Sequence, residues 1–135
     1  MIIRIRKHHL SYFRRKAARS NNEVFAMLLG RRISPSLIEV DFFKYPKLER
    51  STPSEVWADM YSFGLIEEDA KDDGLHIVAD IHSHVNYPPV LSPCDYSDLK
   101  GSKCTLSGVV SVIGGRTWVN FWERDKSLPV SIVYY

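Results

Sequence analysis

The stretch "GLHIVADIHSH", residues 74 to 84, constrains this chain more than any other. Apolar residues packed behind a glycine start signal predict a buried strand, and a buried strand needs partners on both edges and layers on its faces. The rest of the chain must supply them. "IIRIRKHHL" alternates apolar and basic residues and reads as an opening strand, ended by Ser11 capping a helix through "YFRRKAARS". "EVFAMLLGRR" is a second, buried strand closed by Gly30, and "SLIEVDFFKYP" a third, halted by Pro46. "STPSEVWADMYSFG" reads as a core-facing helix: Thr52, Pro53 and Glu55 form a capping box, Val56, Met60 and Phe63 recur at helical spacing, and Trp57 and Tyr61 widen the stripe. After the buried strand come a short helix over "SPCDYSDLK" and three strands, "GVVSVIGG", "RTWVNFWERDK" and "PVSIVYY". The order β-α-β-β-α-β-α-β-β-β predicts an α/β chain built on a mixed sheet.

Its length of 135 residues suits one domain spanning residues 1–135, able to bury its core without staples. A hydrophobic fraction of 44% and a charged fraction of 25% exclude disordered and fibrous classes. No run approaches the ~20 apolar residues of a membrane span, and "MIIRIRKHHL" lacks a signal-peptide core, so a cytoplasmic protein is expected. Cys94 and Cys104 are too few for a disulfide framework, and two free thiols are the default reading. Net charge is only +2, yet residues 1 to 32 carry nine lysines or arginines against the single acid Glu23. The plain reading is a solvated helix face, ahead of a nucleic-acid contact or a dock for an acidic partner.

The chemistry lies in "IHSHVNYPPVLSPCD", residues 81 to 95. Residues i and i+2 of a strand share one face about 7 Å apart, so His82 and His84 can converge on one point while Ser83 faces away. Two neutral imidazoles held so are the usual start of a zinc or other transition-metal site, which then needs a third ligand. Asp95 is the natural candidate. Ser92, Pro93 and Asp95 also match a plain helix start, with Ser92 as cap and the acid favoured by the helix dipole. That reading leaves the histidines unexplained.

The pattern His82-x-His84, seven residues, Ser92, two residues, Asp95 resembles the H-x-H-x7-S-x2-D signature of the JAMM metalloproteases, the catalytic branch of the MPN (JAB) family. "EVFAMLLG", from Glu23 to Gly30, is similar to the family's E-V-x-G-x-L-x-G stretch with Ala26 at the first glycine. Val85 stands where a proline commonly follows the second histidine. The resemblance implies the MPN/JAB (cytidine-deaminase-like) fold, a mixed curved sheet flanked by helices. It also implies one zinc ion per chain held by His82, His84 and Asp95, with Glu23 as the proton carrier and Ser92 as oxyanion donor.

The activity so implied is that of a zinc-dependent isopeptidase cutting after the C-terminal Gly-Gly of a ubiquitin-like or sulfur-carrier protein. About 40 residues follow Asp95, too few for the long second insertion of linkage-selective eukaryotic members, so linkage selectivity is not expected. Two rivals carry the same family features: a metal-free MPN scaffold, and a RadC-like protein linked to DNA metabolism, which the basic N-terminal region could serve. A zinc nucleobase deaminase is disfavoured because its His-x-Glu and Pro-Cys-x-x-Cys elements are missing. His8, His9 and His76 read as surface or edge-strand residues, and Asp98 as a helix-face acid.

Overall fold

The computed structural model describes residues 1–91, 106–123 and 128–135. Among them are β1 (Ile2–Ile5), α1 (Lys7–Arg19), β2 (Phe25–Ser34), β3 (Leu37–Lys44), β4 (Leu48–Thr52), β5 (Glu55–Ala58), α2 (Met60–Asp72), β6 (His76–Val85), β7 (Leu106–Ile113), β8 (Arg116–Glu123) and β9 (Leu128–Tyr134). Seven strands close into a barrel in the order β1-β3-β2-β6-β7-β8-β9, with β9 pairing back onto β1. The sheet is mixed, as expected. β1 runs parallel to β3 and β9, β6 runs parallel to β7, and the remaining pairs are antiparallel.

The main core joins the inward faces of these strands to one stripe of α1. Ile3, Ile5, Ala26, Leu28, Val40, Ala79, Ile81 and Phe121 meet Leu10, Phe13 and Ala17 in a single buried cluster. The helix stripe follows the i, i+3, i+7 spacing that one face of a helix allows. Gly30 sits where β2 and β3 come closest: a Cβ there would lie 1.8 Å from the carbonyl oxygen of Glu39, so only glycine fits. Gly114 and Gly115, with φ of 58° and 77°, turn the β7–β8 hairpin as their positive dihedrals require.

Gly30 does not close β2, which runs on to Ser34 through its pairing with β3, and two further expectations need correction. The opening strand stops at Ile5, and His8 and His9 lie in the first turn of α1, with Arg6 rather than Ser11 at its cap position. Burying Leu10 with Phe13 and Ala17 outweighs the apolar–basic alternation, and the helix starts without a side-chain cap. His8 is exposed, as is His76 on β6, while His9 is half-buried. Burial first, then the nearby charges of His8 and Arg6, hold the His9 pKa below its ordinary value.

The second correction concerns Thr52, Pro53 and Glu55. They form no capping box; Pro53 and Ser54 turn a β4–β5 hairpin, in which Thr52 Oγ1 donates to the Glu55 carbonyl at 3.3 Å. Helix α2 begins only at Met60, capped by Asp59, whose carboxylate accepts the Ser62 N–H at 3.0 Å. Met60 and Tyr61 are 74% and 76% exposed and Trp57 is also exposed, so the expected apolar stripe does not face the core. The helix is held instead by Ala70 and Ile66, packed with Leu29, Leu75 and Ile77 in a second, smaller cluster. The helix expected over "SPCDYSDLK" lies outside the described residues. No described helix is long and apolar enough to cross a membrane.

Candidate metal centre on strand β6

Strand β6 divides its side chains between two faces. Ala79 and Ile81 enter the core, so Asp80, His82 and His84 project from the other side of the sheet. They are buried there nonetheless, His82 at 7% and His84 at 4% exposure. The two rings meet directly, His82 Nε2 lying 3.0 Å from His84 Nε2.

A backbone contact orients the pair. His84 Nδ1 lies 3.0 Å from the Pro88 carbonyl oxygen. A carbonyl can only accept, so Nδ1 donates, and His84 Nε2 is left to accept from His82 Nε2. This is the arrangement that metal-ligating histidines use to fix tautomer and direction. Nitrogens ~2.0–2.1 Å from a tetrahedral zinc would stand about 3.3 Å apart, close to the separation found here. Geometry and tautomer therefore fit a zinc ligand pair.

Glu23 reaches the same face through register. Phe25 pairs with His82, and the Ser83 N–H donates to the Val24 carbonyl at 3.0 Å, which carries the pairing one residue further. Alternation along the chain from Phe25 puts Glu23 on the face that His82 shares. Its backbone is clamped from the β4–β5 hairpin: the Glu23 N–H donates to the Thr52 carbonyl and the Ser51 hydroxyl donates to the Glu23 carbonyl, each at 2.8 Å. Glu23 is 7% exposed. The hairpin that displaced the expected helix start thus holds the acid.

Further residues join this face that sequence reasoning missed. On β7, Ser107 lies opposite Asp80 and donates to its Oδ1 at 2.6 Å, and Ser111 lies opposite His84, buried with no partner for its hydroxyl among the described residues. Asp80 was open to detection, since it stands two residues before His82 on a period-2 strand. Ser107 and Ser111 depend on the parallel register between distant strands. The segment after β6 folds across the face: Asn86, at φ 55°, donates its N–H to the Val112 carbonyl, and Pro89 O accepts from Trp122 Nε1 at 3.0 Å and Asn120 Nδ2 at 3.2 Å. The Tyr87 ring meets His84 edge-on, 5.1 Å between centroids.

Three of the five expected site residues, Glu23, His82 and His84, are therefore brought to one face. Ser92 and Asp95, with Cys94, Asp98 and Cys104, lie outside the described residues. Among the described residues no group of three or more His, Cys, Asp or Glu side chains could hold a metal ion.

The fold has solved counterparts. A solution structure of a Desulfitobacterium hafniense protein aligns with a TM-score of 0.80 at 17% identity, covering 99% of this chain and 93% of that one. A solution structure of a Salinibacter ruber protein aligns with a TM-score of 0.69 at 20% identity, covering 100% and 92%. At these identities the likeness speaks to fold alone. No curated protein matches the chain. The sequence model of the prokaryotic homologs of the JAB domain matches residues 6–125, which takes in α1, Glu23, the histidine pair and every strand from β2 to β8, and the chain belongs to that family.

Proposed function

We propose that this chain is a zinc-dependent isopeptidase that hydrolyses the bond after the C-terminal Gly-Gly of a ubiquitin-like or sulfur-carrier protein. The observation that carries the reading is the buried His82–His84 pair, with nitrogens 3.0 Å apart and the His84 tautomer set by the Pro88 carbonyl. His82, His84 and Asp95 would hold the ion. Bound there, zinc supplies a Lewis acid that polarises a carbonyl and brings the pKa of a water toward neutrality.

The chain's own groups supply the rest. Glu23, clamped by Ser51 and Thr52 on the face of the histidines, takes a proton from the attacking water and returns it to the leaving amine. Ser92 donates a hydrogen bond to the oxygen of the scissile carbonyl as negative charge develops on it. The Gly-Gly end of the substrate suits a site crossed by the Tyr87–Pro89 segment, because residues without side chains thread a narrow passage most easily. Family membership supports the reading but does not by itself require catalysis.

The test is elemental analysis of the wild type, Glu23→Gln and Asp95→Ala, paired with cleavage of a ubiquitin-like fusion ending in Gly-Gly. One zinc per chain in the wild type and Glu23→Gln, cleavage by the wild type alone, and zinc loss in Asp95→Ala are expected. A wild type that takes up no zinc would overturn the reading and leave a metal-free interaction module.

A further inference from the structure

Helix α1 has a second face besides its buried one. Tyr12, Arg15, Lys16 and Arg19 recur at i, i+3, i+4 and i+7, opposite the Leu10, Phe13 and Ala17 stripe. With Ser20 and Val24 they line an open groove of about 570 Å³. Arg14 is engaged elsewhere, its guanidinium donating to Thr117 Oγ1 at 2.8 Å and to the Thr117 carbonyl at 2.9 Å. Among the described residues the three groove cations have no such anchor. The ion pairs among the described residues join Arg4 to Glu39, Arg31 to Asp41 and Arg50 to Glu55, and none engages Arg15, Lys16 or Arg19. Lys16 Nζ rests 5.4 Å from the centre of the Tyr45 ring, and α1 contains no acid.

A merely solvated basic face would spread its charges over a convex surface. Here like charges line one concavity, where an anion would meet several of them at once. The groove reaches Val24, the chain neighbour of Glu23, although the Val24 side chain packs into the core on the face opposite the histidines. We propose that it docks an acidic face of the protein whose tail enters the His82–His84 centre, an inference that rests on the function proposed above. A protein fits better than a nucleic acid. The stripe from Tyr12 to Arg19 spans about 10 Å of helix, the size of a surface patch rather than of a strand-tracking channel, and Tyr12 is its one aromatic.

The experiment is fluorescence anisotropy with the Glu23→Gln chain, which cannot turn over its ligand. The probes are a labelled oligoglutamate peptide ending in Gly-Gly, its glutamine counterpart, and labelled single-stranded DNA. Arg15→Glu/Lys16→Glu/Arg19→Glu reverses the groove, and Arg32→Glu/Lys44→Glu/Lys71→Glu makes the same change of net charge elsewhere. The oligoglutamate peptide should bind, the glutamine peptide should not, and groove reversal should weaken binding at least about tenfold against less than about twofold for the control. Raising salt should weaken it as well. Unchanged binding after groove reversal, an equal loss in the control, or tighter binding of DNA than of oligoglutamate would overturn the proposal. Self-association abolished by groove reversal would also overturn it, in favour of a second copy as occupant. Should the triple variant lose its cooperative melt, Arg15→Ala and Arg19→Ala singly decide by the same readout. Because only binding is read, failure of the dock is distinct from failure of catalysis, which shows as absent cleavage by the wild type.

Discussion

The two faces of β6 are equally dry and chemically opposite. Toward the core, Ala79 and Ile81 are fully buried among apolar neighbours; on the other face Asp80, His82 and His84 are 8%, 7% and 4% exposed. Burial on the inner face lowers free energy through lost apolar hydration and demands nothing further. Burial on the outer face costs free energy unless each polar atom finds a partner, and there the partners are specific: Ser107 for Asp80, Pro88 O for His84, and the two rings for each other. Ser83 joins the two regimes. It points inward, yet its hydroxyl accepts the Val24 N–H at 2.8 Å and ties β6 to the segment that carries Glu23. One face therefore carries apolar packing and the other the chemistry proposed above, which makes them separable by substitution.

Glu23→Gln should separate them most sharply. With only the proton carrier removed, kcat falls by up to about 10⁴-fold while zinc content and the thermal midpoint stay near wild type; a parallel fall in stability would show the faces to be coupled. Ile81→Ala should do the opposite, costing about 2–5 kcal/mol in urea unfolding through a core cavity while the folded fraction keeps its zinc. Ser83→Ala lies between, because it leaves the buried Val24 N–H without an acceptor. It should cost about 1–3 kcal/mol and also lower activity, since the Glu23 segment loses its tie. A stable variant of reduced activity would sharpen the division further. Away from both faces, Asp59→Ala should cost about 1 kcal/mol by uncapping α2. Trp57→Ala should change stability by less than about 0.5 kcal/mol; a core-sized loss would restore the helix once expected there.

The strands were legible wherever apolar pattern and turn chemistry agreed. Gly74 before β6, Gly114–Gly115 in the β7–β8 turn and Pro46 after β3 all punctuate as read. Two segments misled for physical reasons. Thr52-Pro53-Ser54-Glu55 satisfies a helix cap and a hairpin turn equally well, and pairing between Leu48–Thr52 and Glu55–Ala58 selected the hairpin. "IIRIRKHHL" alternates as a strand would, but a helix from Lys7 buries Leu10 and Phe13 together, which a longer strand could not. The histidine pair and Glu23 were visible as residue types at telling positions. Their support was not, because Pro88 O, Thr52 O and Glu23 O are backbone atoms that no side-chain pattern marks.

By itself the sequence determined what depends on local chemistry: which segments pair or coil, which residues could ligate a metal, and where basic charge gathers. Imidazoles two apart on a strand must share a face whatever the fold around them. Tertiary structure alone decided what depends on closure. It sealed the sheet into a barrel, brought the β4–β5 hairpin to clamp the Glu23 backbone, and gathered α1 charges along one groove. Register and loop path follow from burying the whole core at once, and no stretch of the chain carries that free energy alone.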